Sequence, residues 1–212
     1  MKRTWIIIGI IILILIIGYS SCKNAYNSLV QKSQDTQSKW AQVESQYQRR
    51  TDLYNSVVKV VQGSAQFEQS TLTAVIEARS KATAIQVDPS KLTPESIAAF
   101  QQAQNQFAGA FGRLLAVAEN YPDLQTTQAF RDFQTQIEGT ENRINKARDD
   151  FNLSVQTYNT AIKSFPAVLY AGMFGFTPKG YFQANPGTEN PPDINFNLNQ
   201  NQNPAPAGAT QK

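Results

Sequence analysis

Apolar and polar positions along the chain fall into four regimes. Residues 5–19, from Trp5 to Tyr19, are almost all Ile and Leu with no charge among them, and Lys2 and Arg3 precede them. A bilayer span takes about 20 residues. Counted through Cys22, the run is just long enough to cross, with Trp5 and Tyr19 as interfacial aromatics. From Trp40 the pattern changes to apolar residues spaced by threes and fours: Trp40, Val43, Tyr47, Tyr54, Val57 and Val61, then Leu72, Val75 and Ile76. That spacing predicts a helix with one buried stripe. Arg50 and Glu68 occupy stripe positions and are expected to find partners or to lie at the seam's edge, because an unpaired buried charge is costly.

Nothing in residues 25–85 breaks this helix outright. It has no proline, and Gly63 is its only glycine. A straight rod of that length would run about 90 Å, longer than any later segment could cover. A bend or break is therefore expected at 52–56 or at Gly63-Ser64, where helix propensity is weakest. A second helix opens at Thr93-Pro94-Glu95 as cap, first helical residue and dipole-facing carboxylate. Its stripe is Ile97, Phe100, Phe107, Phe111, Leu114, Leu115 and Ala118, with Gln104 inside it and Gly109 and Gly112 beside it, and it stops at Asn120-Tyr121-Pro122. The third is the clearest: Phe130, Phe133, Ile137, Ile144, Ala147, Phe151, Val155, Tyr158, Ile162 and Phe165, capped by Thr126 or Thr127 and ended by Pro166. At about 39 residues it is a rod of roughly 58 Å.

Three such stripes with short connections at 86–92 and 121–125 predict an all-α fold, an elongated antiparallel bundle of three to four long helices. The expected organisation is a membrane anchor or lipoprotein signal over 1–22, a bundle over 23–182, and a Pro/Asn/Gln-rich tail over 183–212, disordered from Asn195 onward. Residues 167–182 are too apolar for a free linker. They are expected to fold back on the bundle end or to touch lipid.

Composition narrows the chemistry. Of 212 residues 17% are charged, against roughly 25% in an average chain, and Gln and Asn fill the deficit. The net charge is +3; without Lys2 and Arg3 it is +1, which gives no field for nucleic acid. Histidine is absent and cysteine occurs once. That removes the usual neutral-pH base, Ser-His and Cys-His nucleophile pairs, an internal disulfide and a zinc cluster. Cys22 leaves two readings of the amino terminus. It is incidental beside an uncleaved anchor, or it is the acylated first residue of a lipoprotein, since small residues precede it as in bacterial lipoprotein sites, although Tyr19 stands where such sites favour Leu. Lys2 and Arg3 favour a cytoplasmic amino terminus and a bundle outside the cytoplasm, and Lys23, Lys32 and Lys39 oppose that orientation.

Several runs resemble one family. They are 26–30 (Tyr-Asn-Ser-Leu-Val), Trp40 to Glu44, Arg49 to Leu53, Val60 to Gly63 with Glu68, Ala78-Arg79, Leu114 to Glu119 and Tyr121 to Leu124. Thr140 to Ile144, Ala147-Arg148, Tyr158 to Thr160, Phe165-Pro166, Gly175-Phe176 and Tyr181-Phe182 complete the set. In this order, over about 26–196, the chain resembles the LemA family. The resemblance implies a bacterial protein with an amino-terminal membrane segment and a helical bundle, without established enzymatic activity. Tyr54-Asn55-Ser56 departs from a family pattern similar to Ile-Pro-Asn, so a less sharp bend is expected there.

The charged motif residues Glu44, Arg49, Arg50, Asp52, Glu68, Arg79, Glu119, Glu141, Arg143 and Arg148 are read as an interhelical network fixing register. Glu141 and Arg143, two apart on a helix, diverge and need partners elsewhere. No spacing specifies a carboxylate pair for acid–base work, and Phe130, Phe133 and Phe151 have core spacing. No catalytic residue, metal or cofactor is expected. The expected function is a membrane-anchored, non-enzymatic structural or interaction module of the cell envelope, touching lipid through its amino-terminal segment and envelope proteins through its bundle. The alternatives are an envelope-stress or membrane-remodelling factor that binds lipid through 167–182 and, more distantly, an enzyme using buried carboxylates.

Overall fold

A computed structural model describes residues 2–62, 68–122 and 127–184. Among the described residues four helices follow in order: α1 (Lys2–Gln62), α2 (Gln69–Ala84), α3 (Pro94–Ala118) and α4 (Gln128–Lys163), then a 3₁₀ turn at Ala167–Leu169. No strand occurs among the described residues, and the fold is all-α. Met1–Phe182 form one unit and Gln183–Lys212 a second, of which only 183–184 are described, so the expected disorder of the tail lies outside the described residues.

Helix α1 is one uninterrupted rod of 61 residues, about 90 Å long, and joins the apolar segment to the bundle without a break. The helix does not break at 52–56, and the alternative at Gly63-Ser64 lies outside the described residues. The bundle part of α1 is covered because α4 lies along it in the opposite direction. Tyr54 meets Phe133 at one end, Trp40 meets Phe151 in the middle, and Leu29 packs with Tyr158 and Ile162 at the other. Helix α3 runs parallel to α1, pairing Phe100 with Trp40 and Phe107 with Tyr54, and α2 packs against α3. The result is an up-down-up-down bundle.

Helices α2 and α3 reach only to about the level of Trp40. Below it the seam between α1 and α4 is closed by the returning chain. Past Pro166, Phe176 packs near Tyr26, Lys179 reaches Ser33, and Phe182 stacks on Trp40. This return strap covers the length of α1 that no helix was available to cover, the first of the two outcomes expected for 167–182.

Caps and stripes follow the residue pattern closely. Thr93 Oγ1 accepts from the Ser96 N–H with Pro94 at the first helical position, and Thr127 Oγ1 accepts from Phe130 N–H; Thr126 lies outside the described residues. Three stripe residues depart from expectation. Ile76 is exposed, because α2 is covered on the face of Leu72 and Val75 only. Leu115 is half-buried. Phe165 is exposed because Ser164 is already extended and a residue before proline is driven out of the helical region. Helix α3 also stops at Ala118, before the expected Asn120.

Candidate functional site

Arg50, on the buried face of α1, lies at the centre of a polar layer. Its Nη2 donates to Gln104 Oε1 at 2.6 Å and to the Gln104 carbonyl at 3.3 Å, and its Nη1 pairs with Glu141 at 3.5 Å. The guanidinium lies 4.7 Å from the Tyr47 ring centroid and 5.8 Å from that of Phe107. Charge, hydrogen bonds and ring faces thus all converge on one buried cation. Thr140 fills the gap in the α4 stripe between Ile137 and Ile144, bonds back to the Gln136 carbonyl, and accepts from Arg143 at 3.0 Å. Burial raises the Tyr54 phenol well above its ordinary range and raises Tyr47 as well, so both stay neutral donors here.

Of the ten charged motif residues, Arg50 and Glu141 pair directly in this layer, whereas Arg143 is exposed and bonds Thr140 one turn back on its own helix. Arg148 lies with its guanidinium 4.9 Å from the Phe182 ring centroid. Asp52 accepts from Gln48 one turn before it, and Glu68 accepts from Ser70 at the start of α2. Arg49, Arg79 and Glu119 are exposed. Glu44 is raised by burial, with a smaller opposing pull from the Trp40 indole, whose Nε1 nevertheless meets no acceptor in hydrogen-bond geometry. Glu141 is therefore the one acidic motif residue at the layer. Two carboxylates do not converge there, and no group of three metal-ligating side chains occurs among the described residues.

A second polar construction had no counterpart in the residue pattern. Asn159 on α4 donates to the Lys179 carbonyl and accepts from the Lys179 N–H, both at 2.9 Å. Asn152 does the same for Phe182, at 3.0 and 2.9 Å. Each amide side chain imitates a neighbouring strand. Seven residues of helix and three of extended chain both cover about 10 Å, so the two registers match. The signal in the sequence is a pair of asparagines seven apart on one helix face, hard to distinguish in an amide-rich chain. The strap is also tied to the α3 entrance, where Gly180 N–H donates to the Leu92 carbonyl at 2.9 Å.

Gly180 is required by contact. A Cβ there would sit 2.6 Å from Pro94 Cα and 2.9 Å from the Thr93 carbonyl, both backbone. Gly180→Ala is expected to cost about 2 kcal/mol through forced displacement of the strap, and to expose 179–184 to protease. An unchanged melting temperature would show that the strap yields freely.

Lys179 is buried, its ammonium 3.2 Å from Ser33 Oγ and 4.9 Å from the Tyr158 ring centroid. It borders a cavity of about 530 Å³ together with Ser33, Lys91 and Tyr158. Burial pushes its pKa down to about 8. Between that value and the free-lysine value of 10.5 the unfolded chain holds a proton that the folded chain has lost. Stability should therefore rise with pH across this window, by about 1–2 kcal/mol given the partial hydration of the ammonium. Subtracting the same titration of Lys179→Met isolates the effect from the tyrosines. A wild-type curve parallel to that of the variant would refute it.

At the end of the bundle nearest the apolar segment, Ala167 and Ala171 pack on Leu29, Tyr158 and Ile162. Their neighbours Phe165, Val168, Leu169, Met173 and Phe174 point outward, with Met173 85% and Phe165 81% exposed. Tyr26 holds Phe174 and Phe176 edge-on at 5.2 and 5.6 Å. Tyr170, half-buried against the same cluster, has its phenol raised chiefly by desolvation. The upstream helix is long and apolar enough to cross a membrane, and its residues 5–19 are exposed.

The chain is similar in sequence to known bacterial proteins. Magnetosome protein MamQ 1 of Paramagnetospirillum magneticum is 30% identical over 187 residues, spanning 78% of this chain and 67% of the relative. Magnetosome protein MamQ of Magnetospirillum gryphiswaldense is 29% identical over 203 residues, spanning 88% and 75%. Protein LemA of Metamycoplasma hominis is 26% identical over 139 residues, spanning 66% and 60%. The LemA family model matches residues 39–196, which takes in the polar layer, the asparagine clamp and the strap, and the chain belongs to the LemA family.

Proposed function

We propose that this protein is a membrane-anchored module of the cell envelope that works by contact and not by chemical conversion. The observation that carries the reading is the continuity of α1, in which one helix is first an exposed apolar rod and then the central strut of a filled bundle. Such a connection holds the bundle in fixed relation to the anchor, which a flexible linker would not do. The polar layer supports the same reading, since its single carboxylate is engaged by an arginine that also grips α3. By the positive-inside rule the bundle lies outside the cytoplasm.

Recognition is assigned to the amide-rich outer surfaces, such as the face of α4 carrying Gln134, Asn142 and Asn145, all exposed. Crosslinking in intact membranes followed by mild solubilisation should recover defined envelope proteins. Their yield should fall when those three residues are changed to glutamate with the fold intact. Recovery of the bait alone would overturn the reading. Intact-mass measurement of membrane-extracted protein separates the two forms of the anchor. The full-length mass marks a spanning helix, and loss of 1–21 with an acyl addition at Cys22 marks a lipoprotein.

A further inference from the structure

We propose that the apolar rim formed by residues 165–174 is a second membrane contact, which seats the near end of the bundle in the headgroup layer instead of holding it clear on a stalk. This rests on the anchored reading above.

Three observations lead there. The first is asymmetry. Beyond Tyr26, the large apolar side chains exposed among the described residues are Ile76, Leu153 and Tyr181, scattered singly, and the five of the rim, clustered within ten residues. Single exposed apolar residues are ordinary, whereas a contiguous patch marks an interaction surface. The second is construction. The rim is held out and not merely loose, since Ala167 and Ala171 are buried under it, Tyr26 braces Phe174, and backbone bonds from Tyr170 to Ala167 and from Phe176 to Ala171 close its turns.

The third is height, and it selects the occupant. A hydrocarbon core of about 30 Å takes about 20 residues of helix, so a span that begins at Trp5 ends near Cys22 and Lys23. Tyr26 then stands about 5 Å farther on, within the headgroup layer. The turn at 167–169 packs against α1. The rim, held against Tyr26 through Phe174, thus stands at the depth where aromatic and apolar side chains partition into a bilayer surface. A lipid surface meets it without any further protein.

The test uses the full chain reconstituted in phosphatidylcholine vesicles. In a Cys22→Ser background, an environment-sensitive fluorophore is attached through one of three substitutions: Met173→Cys at the rim, Glu77→Cys on the exposed side of α2, or Ile12→Cys in the anchor. The expected result is a blue-shifted emission at Met173 that nitroxide-bearing lipids quench at least half as strongly as at Ile12, with Glu77 unquenched. Leu169→Cys should repeat it. Quenching at Ile12 with Met173 no different from Glu77 would overturn the rim contact and leave the anchor standing. Absence of quenching at Ile12 would overturn the anchored reading and the rim contact together. A blue shift at Met173 that lipid nitroxides do not quench, and that grows with the protein-to-lipid ratio, would assign the rim to a second copy of the chain and overturn the proposal.

Discussion

Gln104→Leu is expected to lower stability by about 3 kcal/mol, more than loss of the neighbouring carboxylate. Gln104 Oε1 is the close acceptor of the Arg50 guanidinium, at 2.6 Å, and both residues are buried. Leucine keeps the volume and removes the oxygen. It leaves a buried cation with the 3.3 Å Gln104 carbonyl, a 3.5 Å carboxylate and ring faces, and breaking a buried charged arrangement from one side costs about 3–5 kcal/mol before such compensation. Glu141→Gln should cost only about 1 kcal/mol, because that side chain is 41% exposed and its pairing with Arg50 is long. The ordering is the opposite of the one that ion-pair counting would give. Combining Arg50→Met with Gln104→Leu removes cation and need together, so the double variant should be more stable than Gln104→Leu alone. Thermal unfolding of the full chain in mild detergent reads all four proteins. A larger loss for Glu141→Gln than for Gln104→Leu would mean that the layer is an ion pair with an amide beside it.

Trp40→Ala is expected to cost about 4 kcal/mol, in the range for a large aromatic removed from a closed core. Trp40 is fully buried, with Phe100 at 5.1 Å, Phe151 at 5.5 Å and Phe182 stacked at 6.0 Å between ring centroids. Those rings belong to α3, α4 and the strap, so one side chain of α1 joins every element at that level. Its loss should also loosen the strap, read as faster amide exchange at Lys179 and Phe182 than at positions in the α1–α4 seam near Tyr54. Trp40→Phe should cost only about 1–2 kcal/mol. It leaves a smaller void, and because Nε1 meets no acceptor, no hydrogen bond is lost. Equal losses for alanine and phenylalanine would point to an indole hydrogen bond that matters more than the ring.

These two sites show unequal legibility. Trp40 is visible as the start of a stripe, because apolar residues follow it by threes and fours, interrupted only at Arg50, and that period is the period of the helix. Arg50 and Gln104 each stand out as polar residues in an apolar stripe, but neither alone indicates the other, 54 residues away. Most of the other charged motif residues look alike in the chain and separate in space. Asp52 and Glu68 satisfy local neighbours, Arg148 covers a ring, Arg143 bonds a threonine of its own helix, and Glu141 pairs with Arg50.

Residue order alone determined the all-α class, the three stripes, the cap at Thr93 and a cap at Thr126 or Thr127, the apolar first segment and the family. All of these rest on local period or on motifs in series, which a chain carries before it folds. Tertiary structure alone decided that α1 runs unbroken through 52–56, that Arg50 binds α3 and α4 at once, and that Asn152 and Asn159 hold an extended strap. It also decided that the apolar residues after Pro166 divide into a buried half and an outward rim beside the first segment. Those outcomes depend on the distance between residues far apart in sequence. A side-chain amide has no period to announce its partner, and a run of apolar residues does not state which of its members will meet another helix and which will be left for the solvent or a membrane.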